Sequence, residues 1–488
     1  MTEDTLELAR VPTGIPGLDD ILEGGVLKGG VYIIQGAPGA GKTILANQIC
    51  FDTISRGGKA VFITLLAESH TRMIQHLRSM SFFDFSAIPN KLYYVSGFDI
   101  LENQGLKGVV DLLRREILGH KANLLVLDGF GITEEAAPSQ REFKKFIHEI
   151  QSHAAAAECT VILLTNGTKR ITTPEYTMVD GLIALEDEFC ETRAERTLYV
   201  SKFRGSSFLR GRHSFRITTD GLVVFPRLEA ISVASTDASV LRPQRMSLGV
   251  DSLDAILHGG LTAPTTTGVF GPTGAGKTTL GLQFVSMCDE DEPGLFFGFF
   301  ESPERLRAKA AALQIDLEGL EARGDVEILW RPLGEHILDE LGHDILSAVR
   351  RRKVKRLFID GFAGFRQASI NPERMTRYIS ALSNQLRGLG VTTIMSMESR
   401  EILGHRMQLP IDGMSSLLEG LIVMRFAEIG GLVARVISIT KLRDSDFDPY
   451  LRQYTISEKG IHVGGTFTGV EAILSGYGRE PHAISSDE

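Results

Sequence analysis

Two short stretches, "GAPGAGKTI" at residues 36–44 and "GPTGAGKTT" at residues 271–279, carry the residue types that hold phosphate. Glycines let the backbone turn several N–H groups toward one point, and a following helix N-terminus adds a favourable dipole. Gly36, Gly39, Ala40, Gly41 and Ile44 would line the first loop, and Gly271, Thr273, Gly274, Ala275, Gly276 and Thr279 the second. Lys42 and Lys277 would then reach the β- and γ-phosphates of a nucleotide, while the hydroxyls of Thr43 and Thr278 suit a Mg²⁺ ion. Asp128 and Asp360 each end an apolar run, "NLLVLD" and "RLFID", where a carboxylate emerges at the carboxyl edge of a sheet as a further Mg²⁺ ligand. The bland reading of either aspartate is a turn cap. Hydrolysis also needs a group that orients or deprotonates water, and Glu68 in "ITLLAESH" and Glu301 in "FGFFESPE" are the candidates, with helix capping as the alternative. Thr165 and Ser396, at the ends of "VILLT" and "TTIMS", could present hydroxyls near a γ-phosphate, although polar strand ends are ordinary.

The elements that must position these residues occur twice. Gly36 and Gly271 lie 235 residues apart, as do "GLDDILEGG" and "SLDAILHGG" upstream of them. Asp128 and Asp360 are 232 apart, and "LYVSKFRGSSF" answers "ISITKLRDSDF" at 239, aligning Lys202 and Arg204 with Lys441 and Arg443. Such small drift indicates duplicated domains that differ by short loop insertions. The Ser/Ala-rich stretch near residues 227–245 reads as a linker between a domain at 1–226 and another at 246–475, and residues 476–488 read as a flexible tail. Short apolar runs alternate with helix-length stretches such as "GVVDLLRREILGH", which predicts an α/β chain with a mostly parallel sheet flanked by helices in each domain.

Composition bounds the remaining classes. At 488 residues, 43% hydrophobic and 23% charged, the chain reads as a multidomain globular protein. No apolar run approaches the ~18 residues of a membrane helix, and the acidic N-terminus does not suit a secretory signal, so a cytoplasmic location is expected. Cys50, Cys159, Cys190 and Cys288 are far apart and predict buried free thiols. A net charge of −9 argues against broad nucleic-acid binding. The dense basic run "RRKVKR" at residues 351–356 reads as a solvated turn before a strand.

Both loops, both "DGF" segments, both K-x-R strands and the C-terminal "EAILSGYG", taken in order, resemble the KaiC family of RecA-like ATPases, in the double-domain form of the cyanobacterial clock. The resemblance spans nearly the whole chain and implies tandem RecA-like domains, ATP and Mg²⁺ as ligands, and a homohexamer of two stacked rings with nucleotide between neighbouring subunits. It also implies that Lys202, Arg204, Lys441 and Arg443 reach the neighbour's nucleotide, and that Ser415 and Ser416 accept phosphate in the second domain. By the same likeness, a regulatory partner would bind the C-terminal tail after a switch segment at residues 470–478. Two departures stand out. The family's two adjacent glutamates become Ala67-Glu68 and Phe300-Glu301, and the usual Ser/Thr acceptor pair becomes Ser415-Ser416. The structural alternative for that pair is the start of a helix running into "LLEGLIVM", with Glu419 at capping-box spacing from Ser416. Two other functional classes share the core: an ATP-gated platform with little catalysis, and a RecA-type DNA-dependent ATPase, which should carry basic DNA-contacting loops.

Overall fold

The computed structural model describes residues 9–67, 70–166, 177–190, 192–231, 244–399, 409–410, 413–429, 431–443, 446–467 and 477–478. Glu68, most of the expected linker and most of the C-terminal switch and tail lie outside them. The chain divides into two compact units, Met1–Ile231 and Ser232–Glu488. Leu228, in a short 3-10 turn, is buried in the first unit.

The first unit is built on a nine-stranded sheet in the order Gly221–Phe225, His213–Thr218, Arg193–Phe203, Gly181–Cys190, Val31–Gly36, Thr160–Thr165, Leu124–Asp128, Ala60–Thr64, Leu92–Ser96. Pairings from Gly181–Cys190 across to Leu92–Ser96 are parallel, and the remainder are antiparallel. The second unit repeats this plan, with Val326–Trp330, Gly294–Gly298, Arg356–Asp360, Thr392–Glu398, Thr266–Gly271 and Gly420–Ile429 in parallel, followed by antiparallel Leu432–Leu442, Arg452–Ser457 and Gly460–Thr466. Tyr477–Gly478 adds a short parallel pairing to Glu428 and Ile429. These are two mostly parallel sheets flanked by helices, the tandem RecA-like architecture that the resemblance implies.

The apolar runs are continuous because each central strand is buried on both faces. Along Val31–Gly36, Tyr32 and Ile34 enter one core with Leu45, Phe62 and Val126, while Val31 and Ile33 enter the other with Val109, Leu125 and Phe146. Each such side chain contributes about 1.5–3 kcal/mol of burial. The helices after the two loops, Lys42–Ser55 and Lys277–Ser286, begin at Gly41 and Gly276, whose φ values of 102° and 98° are costly for any residue with a Cβ. Gln48 anchors the first helix by accepting from Leu222 N–H at 2.8 Å, and Gln283 anchors the second by accepting from Ile461 N–H at 2.9 Å.

Several repeated residues prove to be scaffold. Asp19 accepts from Thr13 N–H and Oγ1 at 2.7 Å, and Asp254 from Leu248 N–H at 2.8 Å, so the shared Leu-Asp of the upstream segments closes a turn. Asp180 and Glu419 cap the starts of the loop strands, accepting from Val31 N–H at 2.9 Å and Thr266 N–H at 2.8 Å.

Three local readings need correction. The segment "LLEGLIVM" does not continue a helix from Ser415-Ser416: the helix is the single turn Met414–Leu417, and Gly420–Ile429 is a strand, because its apolar run finds parallel pairing with Thr266–Gly271. The basic run at 351–356 is paired rather than merely solvated. Arg351 and Arg352 bind Glu327, while Arg356 is buried against Glu292 and over the Phe284 ring. Of the four cysteines, Cys190 is exposed near a hairpin tip and the other three are buried.

Candidate functional site

In each unit the glycine-rich loop leaves the carboxyl end of the central strand and turns directly into a helix. The lysine at that junction folds back over the loop. Lys42 Nζ donates to Gly36 O at 2.8 Å and Ala37 O at 2.9 Å, and Lys277 Nζ donates to Gly271 O and Pro272 O, both at 2.8 Å. Both ammonium groups are buried, which lowers their pKa values, and Asp128 opposes that shift for Lys42 as Glu398 and Asp360 do for Lys277. A desolvated cation resting on carbonyl oxygens beneath an open glycine turn is an environment that favours an anion; at Gly39 an added Cβ would meet nothing within 4 Å.

Asp360 ends its strand beside the second loop. Its Oδ2 accepts from Thr278 Oγ1 at 2.9 Å and its Oδ1 from Ser396 Oγ at 2.8 Å, while Ser396 Oγ accepts from Gly361 N–H at 2.8 Å. Desolvation pushes the Asp360 carboxyl above the usual carboxylate range, with the nearby Glu301 charge adding to it, and the two hydroxyls pull the other way. Hard oxygens from Thr278 and Asp360, with the carboxylate desolvated, fit a hard divalent cation such as Mg²⁺. Among the described residues there is no cluster of three or more His, Cys, Asp or Glu side chains that could hold a metal ion. In the first unit Asp128 ends Leu124–Asp128 in the matching place and is close enough to Lys42 to act on its charge.

Strand register separates the two hydroxyl candidates. Asp128 pairs with Leu164, whereas the one-step-earlier pairing of Ile359 with Met395 sets Asp360 opposite Ser396. Ser396 therefore corresponds to Leu164, and Thr165 sits one residue farther along. Ser396 supports the aspartate rather than facing a phosphate. Sequence reading missed Glu398, the last residue of its strand, which pairs with Gly271 and acts on Lys277. Its polar type at a strand end was the available signal.

Glu301 lies beyond the Gly294–Gly298 strand, within electrostatic reach of Asp360, and Lys309 Nζ donates to its Oε1 at 2.7 Å. Phe300, which stands where the family's first glutamate would be, is exposed and packs over Gly361. The two K-x-R pairs grip matching backbone. Lys202 Nζ donates to Thr177 O at 2.8 Å and Arg204 to Thr177 O and Met178 O, while Lys441 donates to Ser415 O and Arg443 to Ser416 O at 2.8 Å. Ser415 and Ser416 are exposed, and Ser416 Oγ donates to Gly413 O at 2.6 Å. The serine pair thus sits on the turn that the second K-x-R pair holds.

The family model described as "ATPase: KaiC" matches residues 11–229 and again 246–466. Similar full-length proteins include the circadian clock oscillator protein KaiC of Parathermosynechococcus lividus, 24% identical over 99% of this chain and 91% of that one. The protein of the same name from Picosynechococcus sp. is 25% identical over 98% of this chain and 93% of its own length. That of Prochlorococcus marinus is 24% identical over 99% and 97%. With the family matched once per repeat over most of the sequence, the chain belongs to the KaiC family of ATPases, carrying two tandem RecA-like domains with a phosphate loop in each.

Proposed function

We propose that this chain is a Mg²⁺-dependent, ring-forming ATPase with two nucleotide sites and serine autophosphorylation in the second domain, acting in signalling or clock-type regulation. The observation that carries this reading is the hydrogen-bonded line Thr278–Asp360–Ser396 beside a lysine folded onto its own loop. Lys42 and Lys277 swing from the loop carbonyls onto the β- and γ-phosphates. Thr43 with Asp128, and Thr278 with Asp360, hold Mg²⁺, which when bound neutralises charge developing on the phosphates. Ser396 keeps Asp360 aimed at Thr278. Glu68 and Glu301 orient the attacking water and take its proton. Lys202 and Arg204 hold the backbone at Thr177, and Lys441 and Arg443 hold it at Ser415 and Ser416; in a homohexamer of two stacked rings these four residues meet the neighbour's nucleotide. Ser415 and Ser416 are exposed hydroxyls on the turn held by Lys441 and Arg443, and they accept phosphate from a nucleotide presented across the subunit boundary. A regulatory partner engages the C-terminal tail.

A second reading, an ATP-gated platform with little catalysis, draws on Ala67 and Phe300 in place of the first glutamates and on the engagement of Glu301 by Lys309. Intact-mass and phosphopeptide analysis after incubation with Mg²⁺-ATP separates the two. The expected outcome is phosphate on wild type and none on the Ser415→Ala/Ser416→Ala chain. Bound nucleotide without phosphate would favour the platform.

A further inference from the structure

The charge around Glu301 points to a built-in restraint on the second site. The glutamate follows the Gly294–Gly298 strand and precedes the helix Pro303–Ala312, which starts with Ser302 as N-cap and Pro303 in the first turn. Lys309 lies on the last turns of that helix. Helical side chains lean toward the N-terminus, so the long lysine reaches back along the helix to the residue just before it. The resulting contact is a hydrogen-bonded ion pair at 2.7 Å, with Lys309 38% and Glu301 27% exposed, so it is shielded from water in part. Asp360 feels both partners. On the same helix Arg307 is occupied elsewhere, in a two-pronged pair with Glu321. At the neighbouring position Phe300 offers no second carboxylate.

We propose that Lys309 is a positioning residue that restrains hydrolysis at the second site by holding the Glu301 carboxylate in an ion pair. This rests on the reading of Glu301 as proton acceptor. When a water attacks the γ-phosphorus, a new P–O bond forms as the bond to the β-phosphate oxygen breaks, and Glu301 takes the proton that the water loses. A carboxylate oxygen that already accepts from an ammonium is occupied and pinned to one rotamer, so turnover waits on loosening of the pair. Eight residues beyond Glu68 the first domain has His76 where the second has Lys309.

The test uses the full-length chain as wild type, Lys309→Met, Lys309→Arg, Glu301→Gln and the Glu301→Gln/Lys309→Met double variant, each assayed for steady-state ATP hydrolysis. Subtracting the rate of the matching Glu301→Gln chain isolates the Glu301-dependent turnover from that of the first site. Lys309→Met should raise this turnover about three- to fivefold, the scale of a partly exposed ion pair, with KM for ATP unchanged. Lys309→Arg should restore the wild-type rate, and Lys309→Met should have no effect on the Glu301→Gln background. A Glu301-dependent rate that stays level or falls in Lys309→Met overturns the restraint while leaving Glu301 as acceptor. A Glu301→Gln chain as fast as wild type overturns the acceptor reading itself.

Discussion

Replacing Asp360 with Asn should separate the cost of a buried charge from the benefit of the ligand it serves. Asp360 is only 9% exposed, and desolvation raises its pKa above that of a free carboxyl. The side-chain amide can keep both hydrogen bonds, its oxygen accepting from Ser396 Oγ and its nitrogen donating to Thr278 Oγ1, so the substitution removes charge while sparing the network. Without ligand, the second domain should gain about 1–2 kcal/mol at neutral pH, since the desolvation that raises the Asp360 pKa outweighs the attraction of Lys277 and Lys309 for its charge. For a domain of this size that is roughly 2–8 °C in the Tm of its unfolding transition. The sign with pH follows from the raised pKa. Protonated Asp360 stabilises the fold fully below the unfolded carboxyl pKa, and this contribution is lost as pH rises through the folded value, so the advantage of Asn should grow with pH over that window and vanish in acid. Ligand stabilisation should show the reverse. Wild type at 100 times Kd of a non-hydrolysable Mg²⁺-nucleotide gains about 2.7 kcal/mol, roughly 5–11 °C, and the Asn chain should lose most of that gain. Differential scanning calorimetry with and without nucleotide, at acid and neutral pH, reads all four quantities. An Asn chain that is less stable alone yet keeps the full nucleotide shift would make Asp360 a structural cap and refute its role at the cation.

Lys42→Ala should weaken nucleotide binding in the first domain and move the assembly from hexamer toward monomer; light scattering after size exclusion that shows an unchanged hexamer would count against nucleotide bridging by that site. Arg356→Ala should lower the Tm of the second domain by roughly 4–12 °C, from a loss of about 2–3 kcal/mol, because Arg356 donates to Ser247 O at 2.7 Å and pairs with Glu292 from a buried position. A change under about 1 °C would show that those partners are satisfied by water.

Much of the site was legible because its chemistry is local. Glycine at 41 and 276 is demanded by positive φ at a loop-to-helix junction, and lysine and threonine follow it in one turn of helix. Carboxylates at 128 and 360 stand where apolar runs stop, and a run buried on both faces must stop at a sheet edge. The serine pair was legible as a pair, but not its setting: a short apolar run fits helix or strand equally until a partner strand selects one, and Thr266–Gly271 selected strand.

The sequence by itself determined the duplication, the two phosphate loops, the parallel α/β class and the family, since each rests on residue order and short spacing. Tertiary structure alone decided that Ser396 supports Asp360 while Thr165 is displaced by one residue, because a strand's period of two makes a one-residue difference in position along the strand a change of face. It likewise decided that Arg356 is buried with Glu292, that the K-x-R pairs hold the backbone at Thr177 and Ser415, and that Lys309 occupies Glu301. Nearly all of these contacts join residues far apart in the chain, and even Lys309 meets Glu301 only once its helix has formed. Their energies come from burial and geometry that exist after folding and leave no mark on local spacing.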